Sequence, residues 1–162
     1  MKIRTSKAED YKELADLFTE TVHSICSADY KPEQLALWAP KKIDYEKWKN
    51  RFQDKNPFLV IENDKIAGFA EFENDGHIDC FYVNKDMQKK GVGTLLMKHI
   101  EQQGKNRGLK RIYSEVSITA RTFFEKHGFR MVRENIVRMK DQELVNFIME
   151  KELTEETAHN SN

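Results

Sequence analysis

The sequence predicts a single α+β domain built on a mixed, mostly antiparallel sheet flanked by helices. Three observations carry that reading. The hydrophobic period is helical up to Pro57 and alternating after it; two short turn signals then divide three extended runs; helical and extended runs alternate from there towards the end. A chain of 162 residues suits one domain with a self-supporting core.

Taken in order, "MKIRT" alternates and reads as a first strand. Ser6 with Glu9 three residues on has the spacing of a capping box, and Tyr11, Leu14, Ala15, Leu17, Phe18, Val22 and Ile25 mark one face of a long helix. Pro32 suits the first turn of a short second helix carrying Gln34, Leu35 and Trp38, and Pro40 stops it. A third helix carries Tyr45, Trp48 and Phe52. "FLVIE", "KIAGFAEFE" and "HIDCFYV", separated by Asn63-Asp64 and Asn74-Asp75-Gly76, form an antiparallel meander. A helix runs from Gly91 to about Gln103 with Leu95, Leu96 and Ile100 inward, and Gly104 is expected to close it. "RIYSEV" is a strand, "TARTFFEKHGF" a helix ended by Gly128, and "RMVRENIVRM" and "LVNFIMEKEL" the last strands. The domain is therefore expected over 1–153, with 154–162 a polar, disordered tail.

Composition excludes several classes of function. The 27 basic and 27 acidic residues cancel, leaving no global field for a polyanion, so no nucleic acid is expected as partner. No apolar run is long enough to span a membrane, and "MKIRTSKAED" lacks the apolar stretch of a signal peptide, so the expected compartment is the cytoplasm. Cys26 and Cys80 are far apart, form no CxxC, and read as buried thiols in a reducing compartment. The histidines show no metal-ligand spacing, and no metal is expected.

The stretch "QKKGVGT" is the strongest chemical signal. A strand ending at Val83, a short loop and a helix that begins on glycines point successive backbone N–H groups into a concavity at the positive end of a helix dipole, which suits a phosphate. Gly91 and Gly93 let a ligand approach the amides of Val92 and its neighbours; Lys89 and Lys90 add positive charge; Gln88 and Thr94 add side-chain donors. The plainer alternative is a tightly packed helix start with lysines in water. The stretch is neither a P-loop nor a GxGxxG fingerprint.

In its context the chain resembles the GNAT superfamily of acetyl-CoA-dependent N-acetyltransferases. Gln88, Gly91 and Gly93 meet its Gln/Arg-x-x-Gly-x-Gly/Ala motif; Ser117, Ala120, Phe123-Phe124 and Gly128-Phe129 meet its second signature; the element order agrees from residue 1 to about 153. The resemblance implies a strand pair that splays around the cofactor, acetyl-CoA or CoA. Phe81, Tyr82 and Val83 would then lie along the pantetheine arm, and residues 88–94 at the pyrophosphate. It also implies transfer of acetyl to a primary amine of a small molecule, peptide or protein by direct attack in a ternary complex.

An alkyl amine with a pKa near 10 leaves only about one molecule in a thousand unprotonated at pH 7, so a base is useful. Period 2 in "HIDCFYV" puts His77, Asp79 and Phe81 on one face and Ile78, Cys80 and Tyr82 on the other, so His77 and Asp79 are candidates for a base and its orienter. His77 sits about where several family members carry a glutamate base. Glu115 is a second candidate and Glu71 a third; strand-edge residues beside a turn are the plain alternative for His77 and Asp79. Phe124 departs from the family pattern, which often has Tyr there as the acid that protonates the leaving thiolate. Tyr82, Tyr113 and Cys80 are substitutes, or the thiolate leaves unaided, or the chain only binds acyl-CoA as a sensing module. Tyr30, Gln34 and Trp38, spaced i, i+4, i+8, form a candidate acceptor-binding face if the second helix begins before Pro32; core packing of Trp38 is the alternative. Exposed final strands make a homodimer possible.

Overall fold

The computed structural model of the chain describes residues 1–154. Its strands are β1 (Lys2–Thr5), β2 (Phe58–Glu62), β3 (Lys65–Phe72), β4 (His77–Val83), β5 (Arg111–Ser117), β6 (Arg130–Met139) and β7 (Gln142–Glu152). Its helices are α1 (Tyr11–Ile25), α2 (Pro32–Trp38), α3 (Tyr45–Lys55), α4 (Val92–Asn106) and α5 (Arg121–Lys126). The strands form one sheet in the order β1-β2-β3-β4-β5-β7-β6. Every neighbouring pair is antiparallel except β4 with β5. The expected tail, apart from Thr154, lies outside the described residues.

Two apolar clusters sandwich the sheet. On one face Leu14, Phe18 and Val22 of α1 pack with Leu35, Phe52, Phe69 and Leu144. On the other Val92, Leu96, Met97 and Ile100 of α4 pack with Ile78, Ile112, Phe124 and Met149. These inward positions recur at helical spacing on α1 and α4, which is why the amphipathic period located both helices.

Three local expectations are corrected. The Ser6–Glu9 capping box does not form: the Asp10 carboxylate accepts from the Lys7 N–H at 2.7 Å and from Arg4 at 2.8 Å, and Ser6 turns to Asn56. A carboxylate that takes both a backbone N–H and a guanidinium outcompetes a longer, exposed Glu9. Gly104 does not end α4 but lies inside it, where a Cβ would come within 2.7 Å of Leu153; the turn out of the helix falls at Gly108, with φ +72°. Close packing, not helix termination, explains that glycine. Tyr30 precedes α2 and does not share a helical face with Gln34 and Trp38. Gln34 instead accepts from the Lys31 N–H and donates to the Glu143 carbonyl, at 2.8 Å each.

Candidate active site

Strand β4 organises the site. Its parallel pairing to β5 is confined to His77–Tyr113 and Ile78–Ser114, although β4 runs on to Val83 and β5 to Ser117. Beyond that point the two strands part, and a cavity of about 300 Å³ fills the opening, with Phe81, Tyr82, Val116, Ser117 and Phe124 among its walls.

On its other edge β4 carries a bulge. Glu71 pairs with Cys80 and Phe72 with Ile78, leaving Asp79 as the extra residue. A bulge breaks the period of two, and the expected faces change accordingly. Ile78 packs with Phe81 and Val83 towards α4, while Cys80 and Tyr82 pack on the α1 side. The phase read from the sequence was therefore wrong for half the strand.

Asp79 and His77 do not pair with each other. Asp79 is bound by Arg51 at 3.0 Å and Lys55 at 3.5 Å. His77 lies between two glutamates: Nδ1 is 2.6 Å from Glu73 and Nε2 2.5 Å from Glu115. Burial alone depresses the imidazole's proton affinity, but hydrogen bonds to Glu115 and Glu73, with the charges of Glu115 and the nearby Asp79, outweigh it and raise the pKa above the ordinary histidine value. Lys55 also reaches Glu73, at 3.4 Å. The result is one chain of ion pairs and hydrogen bonds, Glu71–Arg51–Asp79–Lys55–Glu73–His77–Glu115, of which Asp79, His77 and Glu115 line the cavity. Arg51, Lys55 and Glu73 carried no signal in the sequence, because they come from α3 and the β3–β4 turn and meet β4 only in the fold.

Glu71, the third base candidate, is fully buried and held by Arg51 through two bonds of 2.9 and 2.6 Å. Glu71, Asp79 and Cys80 are the one group among the described residues with metal-ligand proximity. The Arg51 guanidinium already supplies their positive partner, with Nη2 also 3.4 Å from the Cys80 sulfur.

The three substitutes for the missing tyrosine acid separate. Tyr113 stacks on His77 and donates to Asp75 at 2.5 Å, which pushes its phenol up to about 12; it does not line the cavity. Cys80 is buried against Arg51, its thiol pushed well up by burial. Tyr82 alone lines the opening, and burial holds its phenol well above the ordinary tyrosine value. Phe124 also lines the opening, within the cluster beneath α4.

At the α4 end, Lys89 and Gly91 both have left-handed backbones, with φ of +59° and +87°. Gly91 occupies the N-cap position without a side chain to cap the helix, and a Cβ there would meet nothing within 4 Å. The first amides of α4 are thus left without a side-chain cap, beside open space at Gly91, which suits an anion. Gly93 is different: a Cβ would sit 3.0 Å from the Phe123 ring and 3.6 Å from Val83. Phe123 in turn lies 5.4 Å from Phe81 between ring centroids. The concavity and the splay thus form one continuous surface. Gln88 does not point into it, since its side-chain N–H₂ donates to the Val83 carbonyl at 2.8 Å and so ties the turn to β4. Thr94 Oγ1 lies 3.4 Å from His127, and Ser117 accepts from the Ala120 N–H at 3.1 Å.

Of the predicted acceptor residues, Tyr30 donates to the Val145 carbonyl at 2.6 Å and accepts from the Ile118 N–H, so its hydroxyl is committed to holding β7. Trp38 is half-buried and reaches both the first cavity and a second of about 470 Å³ between α1, the 39–44 connection and α3. Asp79, Tyr82 and Met139 also line both. No described helix is long and apolar enough to cross a membrane.

Comparison with known proteins agrees with this geometry. The family model for an acetyltransferase (GNAT) domain matches residues 26–153. An uncharacterized N-acetyltransferase of Escherichia coli K12, YafP, is 28% identical over 149 residues, covering 92% of this chain and 94% of its own. A GCN5-related N-acetyltransferase from Rhodopseudomonas palustris superposes with a TM-score of 0.88 at 28% identity, over 94% of this chain and 95% of that one. The PaiA N-acetyltransferase of Thermoplasma acidophilum, solved in complex with coenzyme A, shares the fold at a TM-score of 0.73 and 23% identity, over 93% and 98% of the two chains. With the splayed strand pair and the uncapped glycine turn in place, the chain belongs to the GNAT family of acetyl-CoA-dependent acetyltransferases.

Proposed function

We propose that the chain acetylates a primary amine that attacks directly from the α1–α3 side of β4, with acetyl-CoA held along the other side. The observation that carries this reading is the parting of β4 from β5 beyond Ile78–Ser114, which joins the α4 concavity to a cavity lined by titratable groups. Acetyl-CoA, when bound, supplies an acetyl group activated as a thioester.

The chain's own residues divide the remaining work. The amides of Gly91, Val92, Gly93 and Thr94, with Lys89 and Lys90, hold the diphosphate. Phe81, Val83, Ser117, Phe123 and Phe124 line the arm, and a backbone N–H near Val83 faces the developing oxyanion. Glu115, exposed on the cavity wall, attracts an incoming ammonium, while Asp79 is already paired with Arg51 and Lys55. Glu115, hydrogen-bonded to Nε2 of His77, takes the ammonium's proton and passes it to that nitrogen once the imidazole is neutral, with Glu73 holding Nδ1. Tyr82, kept protonated by its burial, donates a hydrogen bond towards the departing sulfur in place of the acid that Phe124 lacks.

Thiol release from acetyl-CoA across a panel of amines, run beside thermal stabilisation by CoA, tests the proposal. Stabilisation of about 2.7 kcal/mol at 100 times the dissociation constant, together with amine-dependent release, is the expected pair. Stabilisation without turnover on any amine contradicts the catalytic assignment.

A further inference from the structure

Resting on that reading, we infer that the acceptor is a small monoamine carried on an aromatic body, seated in the second cavity. Its volume of about 470 Å³ falls within the roughly 300–1,000 Å³ of small-molecule sites. The walls include Phe18, Trp38, Trp48 and Tyr82. Phe18 is buried and packs its ring 4.7 Å from Trp48 and 4.9 Å from Tyr82 between centroids, and Phe52 stacks behind Trp48 at 5.1 Å. The rings are thereby fixed by aromatic neighbours on their inner sides. Trp38, Trp48 and Tyr82 nevertheless remain only half-buried, so ring surface that a closed core would cover is left as cavity wall. Pre-positioned aromatic surface is what a planar apolar ligand stacks against.

The polar groups set the ligand's orientation. Asp79 and Tyr82 lie where the two cavities meet, and Asp79 is already paired with Arg51 and Lys55, so an amine reaching past Tyr82 meets Glu115, on the wall of the first cavity, at the opening of the splay. Lys42 and Lys47, which line the second cavity and not the first, are exposed, and the one acid beside them, Asp44, accepts from the Lys47 backbone N–H at 3.1 Å. Arg51 is already bound to Glu71 and Asp79. A second ammonium at that end would meet two lysines, which disfavours diamines and polyamines. Asp16 and Glu20 line a separate groove beyond Thr19 and Ile43, where they favour the approach of a cation without occupying the cavity.

The test compares thiol release by the full chain with 2-phenylethylamine, n-hexylamine and 1,5-diaminopentane. The expected kcat/KM for phenylethylamine is at least tenfold above both aliphatic amines. Trp48→Ala should remove that preference through KM while leaving the KM for acetyl-CoA unchanged. Lys47→Glu, at the third position of an Asp-capped helix where glutamate is well tolerated, should raise diaminopentane turnover severalfold relative to hexylamine. It needs no alteration of the aromatic wall, so it and the wild-type ranking decide the matter even if Trp48→Ala fails to fold. Equal use of hexylamine and phenylethylamine, or a preference for the diamine, overturns the inference and leaves acetyl transfer standing. Stabilisation by acetyl-CoA with no thiol release on any amine overturns both.

Discussion

The two sides of β4 are built from different materials. Towards α4 the site is backbone: a left-handed Gly91, the first amides of a helix, and a strand that leaves its neighbour. Towards α1 and α3 it is side chain: an aromatic wall and a chain of charges that crosses from Glu71 to Glu115. Backbone recognition fixes a constant ligand with few residue identities, whereas side-chain recognition can vary without disturbing the fold. The half proposed for the cofactor accordingly has a motif and the half proposed for the acceptor has none.

The sharpest way to break the side-chain half is Arg51→Ala. It strips Glu71, fully buried, of both its guanidinium bonds, and removing one partner of a buried pair costs about 3–5 kcal/mol. Urea unfolding should register that loss, and CoA should still bind whatever folded fraction remains.

Gly91→Glu attacks the backbone half. It forces a side chain into φ +87° and puts negative charge at the concavity. The expected result is loss of CoA binding by more than about 100-fold, or roughly 2.7 kcal/mol, by calorimetry, with the α1-side packing intact. Unchanged affinity would remove the explanation offered for the turn.

His77→Ala lies between the halves and should lower kcat by about 10² or more while sparing CoA affinity. In the parent protein kcat/KM should rise with pH through a value above the ordinary 6.5 of histidine, because only the neutral imidazole accepts a proton and the folded-state pKa is raised. Glu73→Gln removes one of the two hydrogen-bonded carboxylates that, with the charge of Asp79, raise it, and should move that midpoint down. The same shift has a stability consequence of known sign. His77 contributes stability in full below about pH 6.5, and that contribution fades as pH rises through the raised value.

Gly93→Ala is the smallest perturbation. Phe123 must yield a few tenths of an ångström to admit the methyl, a cost of about 1 kcal/mol that alanine's better helix propensity inside α4 offsets, so the melting temperature should stay close to that of the parent.

The same division explains what the sequence could and could not disclose. The limits of β2, β4 and β6 follow directly from alternation and turn residues, and the glycine turn is legible because backbone geometry demands particular residue types. The bulge at Asp79 is not, since it depends on which residue of β3 stands opposite, and with it went the expected His77–Asp79 pair. Glu73 gives no sign of its role beside His77, nor Arg51 of its role beside Glu71. Charged residues on α3 and in a turn look like solvated surface until the fold sets them against β4. Tyr30 and Gln34 look like a recognition face by spacing, yet Pro32 starts the helix after Tyr30, and both residues fasten β7.

The central claim is that β4 separates a backbone-built cofactor site from a side-chain-built acceptor site. A crystal structure of the chain with CoA tests it most directly. The diphosphate is expected on the amides of residues 91–94 and the thiol in the opening between β4 and β5, facing Tyr82. A thiol found in the cavity between α1 and α3, or a diphosphate away from the α4 turn, would contradict it.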